Sequence, residues 1–196
     1  RLLMIDIGAG TMDVLHYDTE TGLHYKAVVK SPVRYLAEKV AAVSGKLLVL
    51  GNEMGGGPIT QVLLERAKQS EVIMSLSASS TLNHDPAKVK SWGIKVVEDD
   101  RADQLRENSD YTVIMLSDLE APRIEQIVKS FGIPYDFDVV AVCAQDHGVP
   151  PPGMSHLDFR HNMFKARLAE KPYPHTLLYK SDQLPASLNR LKSIAK

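Results

Sequence analysis

The opening stretch, Leu2-Leu3-Met4-Ile5-Asp6-Ile7-Gly8-Ala9-Gly10-Thr11-Met12-Asp13-Val14-Leu15, constrains the fold more than any other part of the chain. An apolar run ends in an acid, passes two glycines and resumes through Thr11 as a second β-prone run. Glycine takes positive φ without a Cβ clash, so the spacing predicts two strands joined by a tight turn. Such a turn leaves backbone N–H groups pointing outward in a concavity suited to an anion. Asp6, at the strand end, is a candidate ligand for a hydrated divalent cation, and Thr11 can donate its hydroxyl to a phosphate oxygen. Asp13 falls on the same strand face as Thr11, because side chains alternate with period two. The alternative is an ordinary glycine-rich hairpin in which Asp6 and Thr11 are turn residues only.

Thr21-Gly22 then marks a turn and residues 23–30 a third strand. Ser31-Pro32 opens a helix with Val33, Leu36, Val40 and Val43 on one stripe. Lys46 to Leu50 is a buried strand, and Gly51-Asn52-Glu53-Met54-Gly55-Gly56-Gly57-Pro58 leads into a second helix. A glycine loop before a helix N-terminus suits anions, though Gly57-Pro58 replaces the Lys-Ser/Thr of a Walker loop. Gly55, Gly56 and Gly57 are therefore read either as cofactor contacts or as glycines that permit close helix–strand packing.

Strand and helix patterns alternate through Val72–Leu76, a polar loop at 77–86, a short helix, Ile94–Val97, the acidic run Glu98-Asp99-Asp100, and Tyr111–Leu116. Ser117-Asp118 is the expected cap of the following helix. Val-, Ile- and Leu-rich strands separated by helices predict an α/β fold. In it, antiparallel hairpin strands lead into a mixed, mostly parallel sheet with helices on both faces. Residues 136–144 form the last expected strand, ending in Gln145-Asp146-His147-Gly148 and a proline run. Asp146 and His147 offer a carboxylate and an imidazole as a general-base pair; the alternative is a capping acid beside a surface histidine. Residues 1–170 are expected to form one nucleotide- or phosphate-binding lobe, and 171–196 an arm or the start of a further segment.

A formal net charge of −1 gives no bulk attraction to nucleic acid or to a membrane surface. No apolar run approaches ~18 residues, and no secretory signal opens the chain, so a cytoplasmic protein is expected. The single cysteine, Cys143, excludes an internal disulfide and a cysteine-held zinc or iron–sulfur site within one chain.

Asp6-x-Gly8-x-Gly10-Thr11-x-Asp13 resembles the phosphate-binding turn of the actin-like ATPase superfamily, which includes sugar kinases, heat-shock chaperone ATPases and hydantoinase-type ATPases. The strand–Gly-Gly-Gly–Pro–helix segment is similar to that superfamily's adenosine-binding segment, and Gln145-x-His147-Gly148 resembles the end of a core strand in sugar kinases. The whole chain resembles the N-terminal part of a prokaryotic family labelled "putative pyruvate formate-lyase activating enzyme". These resemblances imply a ribonuclease H-like lobe that takes ATP or ADP with Mg2+. Gly8, Gly10 and Thr11, with Gly55 to Gly57, would hold nucleotide. Asp6 would organise the metal, while Asp13, Asp146 or His147 would orient or activate water or a substrate hydroxyl. With only one such turn, the chain is expected to be one lobe of a longer ATPase or small-molecule kinase. A non-catalytic, nucleotide-switched regulator or reactivating partner of a radical enzyme is the alternative. A radical activator that uses S-adenosylmethionine needs three clustered cysteines, so that chemistry is not expected of this chain.

Overall fold

Apolar residues alternate along the opening strand at Leu3, Ile5 and Ile7 and are answered by Met12 and Val14 on the next, and that face is buried. The computed structural model describes residues 1–196. Strands β1 (Leu2–Ile7), β2 (Thr11–Tyr17) and β3 (His24–Lys30) form the expected antiparallel meander. Helix α1 (Pro32–Ala42) follows, with Pro32 at its first position, where a missing N–H costs nothing.

The next segments build an all-parallel sheet from β4 (Lys46–Gly51), β5 (Val72–Ser75), β6 (Lys95–Val97) and β7 (Tyr111–Leu116), in the order β6-β5-β4-β7. Leu47, Leu48, Val49 and Leu50 are all buried, as a central parallel strand covered on both faces requires. Leu47, Val49, Met74, Ile114 and Leu116 pack with Leu36 and Val40 of α1 and with Ile59 and Leu63 of α2 (Pro58–Gln69). Each such buried side chain stabilises the fold by about 1.5–3 kcal/mol. Leu48, Leu50 and Ile73 pack with Ala102, on a helix running Asp99–Gln104.

The α/β class is as expected, but the strands form two sheets rather than one. The last strand, β8 (Val139–Ala144), pairs in parallel with β1 from Leu2↔Val139 to Ile7↔Ala144, giving the order β3-β2-β1-β8. Beyond the hairpin, β1 has a second edge of backbone donors and acceptors to satisfy, and β8 satisfies it. That strand starts at Val139 rather than Asp136, and Asp136 pairs instead with the Arg1 guanidinium.

Local hydrogen bonding decides the connections between these strands. The polar loop after β5 contains helix α3 (Leu76–Ser79), whose Ala78 N–H is capped by Ser75 Oγ at 3.3 Å. Helix α4 (Pro86–Ser91) is capped by Asp85. The acidic run opens α5 (Asp99–Gln104), since carboxylates are favoured at a helix N-terminus. Helix α6 (Ala121–Ser130) follows Glu120 and is not capped by Ser117 or Asp118. Ser117 Oγ donates to Leu119 O instead, and Asp118 turns to the glycine loop.

The chain divides into two compact units, residues 1–145 and 146–196. The second holds α7 (His156–Glu170), capped by Ser155, and α8 (Asn189–Ile194). Arg167 lies 4.3 Å over the Tyr179 ring within it. No helix is long and apolar enough to cross a membrane.

Candidate phosphate-binding site

The β1–β2 turn is closed by the Gly8 N–H donating to Thr11 O at 3.0 Å. Gly8 and Gly10 both have negative φ, contrary to the expectation that the turn needs left-handed backbone. Their value is room. A Cβ on Gly8 would sit 3.0 Å from Thr11 O, whereas nothing lies within 4 Å of a Cβ on Gly10, so approach to that peptide is open.

The turn's carbonyls face the start of α1. Ser31 N–H donates to Gly10 O at 3.2 Å. Ser31 Oγ and Arg34 Nε both donate to Ala9 O, at 3.1 and 3.3 Å. A trans peptide places its N–H opposite its C=O, so the Gly10 N–H points away from the Ser31 and Arg34 donors.

Asp6 and Asp13 are paired directly across β1 and β2, which sets their side chains on one face about 5 Å apart. Both are exposed, as is Thr11, whose Oγ1 donates to Asp13 Oδ2 at 3.4 Å. Cys143 stands opposite Asp6 on the other side, in β8. Partial burial and then the Asp6 carboxylate, to which it donates, hold the Cys143 thiol above its ordinary range. It is therefore a neutral neighbour of Asp6, not a thiolate. Mg2+ commonly takes only one or two carboxylates and completes its octahedron with water and phosphate oxygens. The Asp6–Asp13 pair fits that demand, and the Gly10 amide and the Thr11 hydroxyl fit a phosphate.

The second glycine segment is anchored from within. Met54 N–H donates to Thr81 Oγ1 at 3.1 Å, and Gly55 N–H to Asp118 Oδ1 at 3.3 Å. A Cβ on Gly56 would meet Thr81 O at 3.0 Å, and Gly57 takes φ +73° as it enters α2. Each of these features serves close packing at the carboxyl ends of β4 and β7.

In the second unit Asp146 is buried, and its two oxygens accept from Gly148 N–H at 2.7 Å and Leu191 N–H at 3.0 Å. It orders its loop and the start of α8. Gly148 has φ +70°, and a Cβ there would fall 2.5 Å from the Phe159 ring. His147 faces Arg160, with 3.5 Å between Nδ1 and the guanidinium. Burial first, then the Arg160 and His156 charges, push the His147 imidazole below its ordinary range, so it is neutral near pH 7.

A protein-family model described as "Putative pyruvate format-lyase activating enzyme (DUF1786)" matches residues 54–196, well over half of the chain. The chain belongs to this family. No curated protein and no solved structure shows significant similarity to it. In this member of the pyruvate formate-lyase activating enzyme-like family, the matched stretch contains the Gly55–Gly57 loop, Asp146 and His147. The Asp6–Asp13 hairpin precedes it.

Several residues of this family member escaped sequence reasoning. Arg34 carries no motif, and Ser31 reads from sequence only as the residue before a helix that opens with Pro32. Glu53 and His84 form a largely buried pair, Oε1 to Nε2 3.0 Å, that ties the β4 loop to the loop after α3. No spacing rule relates positions so far apart; only the loops' adjacency at neighbouring strand ends brings them together.

Proposed function

We propose that this chain is the Mg2+-dependent nucleotide- or phosphate-binding lobe of an ATPase or small-molecule kinase. One observation carries it: Asp6 and Asp13 stand side by side at the mouth of a turn whose Gly10 N–H points away from the α1 donors. Two adjacent carboxylates repel one another, and a divalent cation relieves that repulsion. Bound Mg2+ would neutralise phosphoryl charge. Asp6 and Asp13 would hold the ion, while the Gly10 amide and the Thr11 hydroxyl would take phosphate oxygens. Donors fixed in advance around developing phosphoryl charge supply most of what such catalysis requires.

Calorimetric titration of the chain with Mg·ATP, Mg·ADP and inorganic phosphate tests this function. Saturable binding that Asp6→Ala abolishes supports it. Absence of binding, or binding indifferent to Asp6→Ala, overturns it.

The family's label favours a second function, a nucleotide-switched regulator or reactivating partner of a radical enzyme. It shares the binding site but differs in turnover: nucleotide binds with little hydrolysis, and a radical enzyme is retained by the immobilised chain.

A further inference from the structure

Ser31 is the N-cap residue of α1, and serine there ordinarily accepts from an N–H of its own helix's first turn. This one makes no such bond. Its hydroxyl, fully buried, instead donates to Ala9 O, and it is joined there by the Nε of Arg34 from the same first turn. One carbonyl of a two-glycine turn thus takes two side-chain donors, one of them cationic, twenty-odd residues along the chain. Neither bond is needed to close the hairpin, which the Gly8–Thr11 contact already does.

The consequence falls on the far side of the same peptide. A carbonyl that accepts two hydrogen bonds is polarised, and polarisation passes through the amide to its N–H, here that of Gly10. The two donors also fix the rotation of the Ala9–Gly10 peptide, which glycine alone would leave loose. Arg34 forms no ion pair with any carboxylate, so its charge is not cancelled by a partner. It sets an uncancelled positive charge beside the turn of Asp6 and Asp13, whereas Lys30, opposite Thr11, is paired with Glu38.

We propose that Ser31 and Arg34 are positioning residues of the phosphate turn. They hold and polarise the Ala9–Gly10 peptide so that the Gly10 N–H donates to a phosphate oxygen, with Arg34 lending positive potential to the approaching anion. The inference rests on the phosphate-site function proposed above. The chemistry served is that of any phosphate oxygen presented with Mg2+, whether from inorganic phosphate or from the terminal phosphate of a nucleotide.

The test titrates the full chain with Mg·ADP by calorimetry and follows the Gly10 amide by 1H–15N correlation spectra. Arg34→Gln is expected to weaken binding about tenfold, Arg34→Lys about threefold, and Ser31→Ala about threefold, as losing a charge-assisted or a neutral hydrogen bond predicts. Arg34 is exposed, so Arg34→Gln should melt with the wild type, and it remains decisive should the buried Ser31→Ala fold poorly. A merely structural clamp would leave the Gly10 amide's ligand-induced downfield shift intact; the positioning role requires that shift to shrink in Arg34→Gln and to recover partly in Arg34→Lys. Binding that is lost in Asp6→Ala but unchanged in Arg34→Gln overturns this inference alone. No binding by the wild type overturns it together with the phosphate-site function.

Discussion

Asp6 and Asp13 face each other across the antiparallel β1–β2 pair, with the thiol of Cys143 next to Asp6 in the same cross-strand row. Like charges directly opposite in a sheet destabilise it by about 0.2–1 kcal/mol. Asp13→Asn should therefore raise the urea midpoint in metal-free, low-salt buffer. The gain should shrink as salt screens the pair and should vanish with millimolar Mg2+ present. A midpoint insensitive to Mg2+ in the wild type would count against a cation between these residues.

Gly51 ends β4 with φ +102°, and a Cβ there would lie 2.2 Å from Leu116 O in the neighbouring strand. Gly51→Ala should cost about 3 kcal/mol or more, because both the backbone region and the strand spacing forbid it. Gly45→Ala, at φ +81° with nothing within 4 Å, should cost about 1 kcal/mol. Chemical denaturation of the two variants separates steric conflict from backbone strain.

His16 is buried at 3 % exposure beside Tyr25 and Phe137, and neither ring nitrogen has a hydrogen-bond partner. Two unanswered polar atoms in an apolar setting are costly, so His16→Leu should stabilise the protein by about 1 kcal/mol at neutral pH. A destabilised His16→Leu would mean that shape in this aromatic cluster outweighs the polar penalty.

His147 should titrate below its ordinary 6.5 in an NMR pH series. Burial is the larger cause and Arg160 the next, so Arg160→Ala should move the titration partway back up. The sign for stability follows from the depressed value. The unfolded chain binds the proton more readily, so the contribution of neutral His147 is complete above pH 6.5 and declines as pH falls through the folded value.

Glu71 accepts from Lys95 and, at 2.6 Å, from the Tyr111 hydroxyl; these bonds hold its carboxyl below the usual range, Lys95 being the larger cause. Its stabilisation is present above about pH 4.5 and lost as pH falls through the lower folded value. Tyr111→Phe should cost about 1 kcal/mol at pH 7 and flatten part of that acid limb, measured by urea titrations at stepped pH.

The hairpin, the parallel strands and most helix starts were legible because each depends on near neighbours. Alternation in Leu3, Ile5 and Ile7 marks a half-buried strand, a run such as Leu47 to Leu50 marks a fully buried one, and Pro32 and Pro58 mark first helical turns. Misreadings cluster where a side chain had two local uses. Ser117 and Asp118 could cap a helix or brace a loop, and Gly55's amide, 63 residues away, decided for the loop. Asp146, read from sequence as a base or a capping acid, accepts from two backbone donors, Gly148 and Leu191, that no local pattern announces.

What the sequence determined by itself is the chemistry available at the first turn: an acid, two small residues, a hydroxyl and a second acid, in an order that any hairpin would place on one edge. Strand period two then put Thr11 and Asp13 on a common face before any contact was known. Tertiary structure alone decided how that turn is aimed. Ser31 and Arg34 reach it only because β3 returns along β2 and delivers the N-terminus of α1 beside Ala9, and Cys143 meets Asp6 only because β8 crosses back to β1. Such contacts depend on which strand edge finds which partner, a question of global hydrogen-bond satisfaction that local sequence does not encode.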